Sequence, residues 1–178
     1  DGVRGGTVPV HSPPMNLGRV ILRTTVGGLF FGHGTQKLFG WFNGPGIGGV
    51  EQMFGAIGLH PPKANAIAAG VAEAGGGAAL VLGAATPFAC SVLIATMITA
   101  IQTVHGKNGP WATSQGWEYN AVLIAACAAI AEAGSSWALL ALGLGAAGAA
   151  GAAAISSALA PSEEEPSSME PMPAAASV

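Results

Sequence analysis

Apolar residues in this chain come in long runs, and the polar residues between them are mostly of the turn-forming kind. The runs cover residues 17–40, 62–85, 87–104, 117–134 and 137–160. A helix crosses the hydrocarbon layer of a bilayer with about 20 mostly apolar residues. The first four runs therefore predict an all-α integral membrane four-helix bundle, and 137–160 predicts a fifth transmembrane helix. Thr86-Pro87 restarts a helix at once, Thr86 as cap and Pro87 in the first turn, so the second and third spans form an antiparallel hairpin.

The linkers have patterns of their own. Residues 41–62 are too Gly/Pro-broken to span, but Val50, Met53, Phe54 and Ile57 follow i, i+3, i+4, i+7. That spacing predicts a short interfacial amphipathic helix lying over one end of the bundle. Phe39, Trp41 and Phe42 beside it, and Trp111, Trp117 and Tyr119 in the 105–120 loop, suit the headgroup level. Both loops belong on the same membrane side. Residues 1–16, with several Gly and Pro and no apolar run, predict a flexible leader, with Met15 as a candidate native start. The Pro/Ser/Glu-rich 161–178 predicts a disordered acidic tail.

Composition agrees with the pattern. Charged residues make up 8% of the chain, against about 25% in soluble domains, and mean hydropathy is +0.52. The net charge of −3 provides no basic field for nucleic acid. Lys and Arg divide evenly between the two ends of the spans. The Arg19/Arg23 pair on the first helix favours an N-terminus inside, in the cell inner (plasma) membrane.

Against this oily background the ionisable residues stand out. The first span carries Arg19, Arg23, His33 and Lys37; at 100° per residue, Arg23 and Lys37 lie only about 40° apart. Gly28 and Gly32 give that helix a small-xxx-small pair for close approach, and Gly75, Ala79 and Gly83 do the same on the second span. Glu73 sits at the middle of that second span. A carboxylate at mid-depth costs ~2.5–3.5 kcal/mol even on a lenient insertion scale, so it must face protein. Aligning the two span midpoints places Glu73 level with Gly28, with Arg23 and His33 as candidate partners. Glu73 reads as half of a lock fixing helix order, as the wall of a polar cavity for protons or a quinone-like headgroup, or as a protonated, unpaired carboxyl in an apolar site.

Other chemistry is sparse. His33, His60, His105, Glu51 and Glu118 belong near one membrane face but lack ligand spacing, so no metal is expected. Glu118 opens the fourth span, where a helix N-terminus favours a carboxylate. No Ser/His/Asp set, phosphate loop or paired carboxylates can be placed, so catalysis by this chain alone is not supported. Cys90 and Cys127 fall inside apolar runs; counted from the turn between them they are offset by about 9 Å along the helices, which predicts two buried free thiols.

Several of these stretches also occur together elsewhere. Gly18-Arg19 through Arg23, GGLFFGHGTQKLFGWF, GVAEAGGGAALVLGAATP, HGKNGPW, GWEYN and AEAG, in this order and spacing, resemble the DoxX family of small bacterial membrane proteins over about residues 15–134. The resemblance implies a four-helix transmembrane domain over 17–134. It also implies family-typical polar positions at Arg23, the His33–Lys37 segment, Glu73 and the Glu118-Tyr119 turn, with His105 and Trp111 in the loop before it. The family is associated with an archaeal quinol oxidase and thiosulfate:quinone oxidoreduction, and with redox or stress functions. Where relatives continue with a GPG-x-x-SLD-like segment, this chain runs through Gly134-Ser135-Ser136-Trp137 into its last apolar stretch.

The leading expectation is a multi-pass, non-catalytic accessory subunit without a cofactor of its own. It would dock through Gly/Ala-rich helix faces onto other subunits of a larger membrane redox or respiratory complex. The competing expectation is an oxidoreductase component with its own quinone site at Glu73, Arg23 and His33. Transport of a solute or proton is disfavoured by the apolar third span.

Overall fold

The computed structural model describes residues 17–132 and 138–160. The expected leader and acidic tail lie outside the described residues, as does the Gly134-Ser135-Ser136 connection. The described fold is all-α. Helix α1 spans Leu17–Phe39, α2 Gly46–Ala56, α3 Pro62–Leu82, α4 Thr86–Ala100, α5 Glu118–Glu132 and α6 Ala138–Ala158. Two segments, Pro62–Leu82 and Thr86–Asn108, are long and apolar enough to cross a membrane.

The outside of the bundle is as oily as its inside. Leu17, Ile21, Leu29, Val71, Leu82, Phe88, Val122 and Ile155 are all exposed. A soluble protein does not turn so many large apolar side chains outward with so few charges, whereas helices solvated by lipid do. Inside, Val26, Phe30, Leu80, Leu93, Ile94, Leu123 and Ile130 form one core. A second, smaller core of Val50, Phe54 and Ala66 joins α2 to the start of α3. The 50/53/54/57 spacing thus marks a real amphipathic helix: Val50 and Phe54 turn inward and Met53 outward.

Helix α1 lies against α3 with backbones in close contact. A Cβ on Gly27 would fall 2.7 Å from the Gly77 carbonyl oxygen, one on Gly70 2.7 Å from Leu38, and Gly34 is pressed on the Ala74 backbone. The α1–α3 contact uses these positions, whereas space around Gly28, Gly32 and Gly75 is open. On a helix a one-residue shift turns the face by about 100°, so neighbouring glycines in a Gly-rich run serve opposite sides. The same contacts correct the register. Glu73 lies about five residues, ~7.5 Å, nearer the C-terminal end of α1 than midpoint alignment implied.

The hairpin from α3 to α4 forms as expected, with Pro87 in the first turn, but Thr86 makes no capping bond; the N-cap is Ala85, in the left-handed region. Helix α4 continues through a π-helical turn, Ile101–His105, and overshoots the level at which α5 begins. Residues 109–117 fold back to α5, with Trp117 N donating to Gly109 O and Glu118 N to Pro110 O. That overshoot removes the axial offset inferred for the cysteines. Cys90 and Cys127 are free, buried and neighbours across α4 and α5, and seven residues away along each helix Asn120 Nδ2 donates to Met97 Sδ at 3.4 Å.

Helix α6 runs alongside α4 and is fixed at two points. Gly145 fits against Ile94 and the Ser91 carbonyl, where a Cβ would fall 2.6 Å from Ile94 Cγ2. Near its other end, Ser156 Oγ accepts the His60 backbone N–H at 2.9 Å. The C-terminus of α6 therefore sits at the same end of the bundle as α2.

Candidate functional site

The register of α1 on α3 decides which cation meets the buried carboxylate. Lys37, in the last turn of α1, donates through Nζ to Glu73 Oε2 and forms an ion pair with it. Glu73's side chain is 3% exposed and that of Lys37 23%. Low dielectric makes an unpaired carboxylate there costly, and the lysine satisfies it while keeping one flank accessible.

The two partners named from sequence lie elsewhere. Arg23 sits about ten residues before the pair-forming end of α1, ~15 Å along the axis, with its guanidinium over Gly83 at the C-terminal end of α3. There it meets the negative end of the helix dipole, and its Nε has no hydrogen-bond partner among the described residues. His33 is exposed on α1 one turn from Lys37. Sequence spacing placed His33 and Lys37 on one face, but only the longer, flexible lysine reaches Glu73.

Two cavities meet at this ion pair. The first, about 480 Å³, lies between α3, α4 and α6 under α2, and Lys37, Glu73 and His105 are among the residues that line it. Its walls are mostly apolar, with Thr96, Thr99, Thr103 and Asn65 as polar points. The three threonine hydroxyls donate to their own i−4 carbonyls, leaving oxygen lone pairs toward the space. Asn65 Nδ2 is buried and unpartnered among the described residues. A donor left that way costs about 1–3 kcal/mol unless something accepts from it.

The second cavity, about 470 Å³, lies on the other side of the pair, bounded by Phe30, His33, Tyr119, Asn120 and the 112–116 loop. His105 borders both, and its Nδ1 is 2.7 Å from Gln115 O. The 105–120 residues thus act as one folded unit. Glu118 Oε1 accepts the Ala112 N–H at 2.6 Å, which ties the loop to the start of α5, and Trp111 points outward, 66% exposed.

The structure therefore brings Lys37, Glu73 and His105 to one partition, with His33 and Tyr119 on the rim of one cavity. It leaves Arg23, Trp111 and Glu118 out of it. Among the described residues no three His, Cys, Asp or Glu side chains converge as a metal site. Asn65 escaped the sequence reading; its signal was the i, i+4, i+7 face it shares with Ala69 and Ala72, beside Glu73.

A small-molecule site of about 300–1,000 Å³ with apolar walls and a few convergent polar groups is the usual form of a ligand pocket. The first cavity has that form. Its chemistry suits a molecule with an oily body and a hydrogen-bond acceptor at the Lys37 end; Asn65, eight residues before Glu73 on α3, lies about 12 Å further along the wall.

A family model described as DoxX matches residues 18–106, from the first turn of α1 to the π-helical turn after α4. No curated protein sequence and no solved structure matches the chain.

Proposed function

We propose that this chain, which belongs to the DoxX family and is a membrane protein of it, holds the headgroup of a quinone-like amphiphile in the cavity beside the Lys37–Glu73 pair. In this reading the protein is a multi-pass component of the plasma membrane. It presents that bound molecule to a redox or respiratory assembly.

The observation that carries the reading is the position of the ion pair. Glu73 is buried at an inner wall that two cavities share, not sealed in a packed core as a mere lock between helices would be. An unsatisfied donor, Asn65 Nδ2, borders the first cavity. A quinone carbonyl is an acceptor for Lys37 Nζ, the ring and tail match the alanine-rich walls, and Asn65 lies about 12 Å along α3 from that headgroup position. His105 and the second cavity would give the headgroup end a polar exit.

Equilibrium binding tests it. A tailed benzoquinone titrated into the protein in lipid nanodiscs should saturate at one site, with affinity falling about tenfold or more in Lys37→Met, the loss of one charge-assisted hydrogen bond. Binding that is non-saturable, or equal in the variant, would refute it.

A second reading, an accessory subunit that docks by helix packing, has its own support. Gly28 and Gly32 on α1 have nothing within 4 Å where a Cβ would point. They leave a small-residue face of the kind on which a further membrane helix packs. The two readings are compatible, since the presenting protein must touch what it serves.

A further inference from the structure

We infer that Gly148 and Ala152 of α6 select the tail of the amphiphile held in the first cavity. The inference rests on the ligand class proposed above.

Helix α6 is immobilised on either side of these two residues. Gly145 is locked against α4 and Ser156 is bonded to the His60 backbone; Gly145, Gly148, Ala152 and Ser156 recur at three- and four-residue steps and so share a face. Between the two fixed points the packing loosens. A Cβ on Gly148 would meet only Ala95 Cβ, at an ordinary 3.4 Å, and both Gly148 and Ala152 border the cavity.

Across the cavity α3 presents Ala68 and Ala72. Both helices pack on α4, so α4 forms the floor and α3 and α6 the two sides of a lane lined by glycine and alanine between Asn65 and Glu73. Because α6 cannot swing outward without breaking one of its two attachments, the width of the lane is set by side-chain size. A slender, unbranched or isoprenoid chain fits between such walls, and a larger side chain on α6 would narrow the lane. Lys37 and Glu73 belong to α1 and α3, so the headgroup contacts use no residue of α6. Helix α6 also lies outside the residues that match the family model.

Two probes separate the tail from the headgroup: a benzoquinone with a ten-carbon tail and the same ring with methyl in its place, each titrated into the full chain in nanodiscs. Wild type should bind both, the tailed one more tightly. Ala152→Leu and Gly148→Leu should weaken the tailed probe about tenfold or more, the size of effect a pocket gives for a misfitting apolar group, and leave the tailless probe within twofold. Gly151→Leu, at a position with open space around it, should change neither. If Ala152→Leu lowers thermal stability, Ala152→Val makes the same comparison with a smaller side chain. Equal affinity for the tailed probe in wild type and both α6 variants overturns the inference, as does parallel loss of both probes. Failure of wild type to bind either probe instead removes the ligand reading on which the inference stands.

Discussion

Gly27 on α1 and Gly77 on α3 lie back to back, so that a Cβ on Gly77 would fall 2.5 Å from the Gly27 carbonyl oxygen. This contact, more than any polar group, fixes which residues of α1 face which residues of α3. It puts Lys37, and neither Arg23 nor His33, opposite Glu73.

Gly77→Val should therefore be among the most damaging single changes, because the obstacle is backbone that cannot rotate away. Overpacking costs roughly 1–3 kcal/mol in an adaptable core, and the cost here should reach the upper end or beyond. Thermal unfolding in detergent checks it, with Gly28→Val as the comparison. Gly28 faces open space, so its variant should melt like wild type; equal loss in both would mean that the α1–α3 register is wrong.

Breaking the ion pair from one side should hurt more than removing it. Lys37→Met leaves Glu73 buried without its cation, a loss of about 3–5 kcal/mol in comparable cases. The double change Lys37→Met with Glu73→Gln should recover much of that. A double-mutant cycle on chemical or thermal unfolding measures the coupling, and additive effects would contradict the pairing.

Cys90 and Cys127 are 0% exposed and should be silent to a water-soluble maleimide in the folded protein, then label fully after denaturation. Folded-state labelling at either thiol would mean that α4 and α5 do not pack in the described register. With the seven-residue step to Met97 and Asn120, the two contacts give the pairing of these helices an internal check.

The turn between α3 and α4 offers a stabilising change. Ala85 holds φ of +44°, a region in which glycine carries no Cβ penalty, so Ala85→Gly should raise the melting temperature by an amount corresponding to about 0.5–1 kcal/mol. A drop would argue against that backbone conformation.

Much of the fold was legible because the rules that set it are local. Apolar run length marked the long helices, Pro62 and Pro87 marked helix starts, and the 50/54 spacing marked α2 as an amphipathic helix. What was not legible depended on how helices slide and turn against one another. Gly27 and Gly28 are chemically identical, yet only the first is in contact, and nothing in the residue types distinguishes them. Midpoint alignment assumed that helices joined by a loop begin and end level. Helix α1 instead extends beyond the end of α3, and the π-helical turn carries α4 past the start of α5, which is why both the partner of Glu73 and the cysteine contact were misplaced. Glu73 itself was recognisable because burial of a carboxylate demands a partner whatever the register. Asn65 was not, since a polar residue near a helix start is ordinary until its surroundings show that nothing bonds to it.

The most direct test of the central claim is native mass spectrometry of the full chain released from nanodiscs made with its own cell membranes, comparing wild type with Lys37→Met. The account predicts a single bound species on wild type, extractable into organic solvent and carrying a quinone-type ring, and its loss from the variant while ordinary phospholipid adducts remain equal. Bare protein in both samples, or equal occupancy in both, would contradict it.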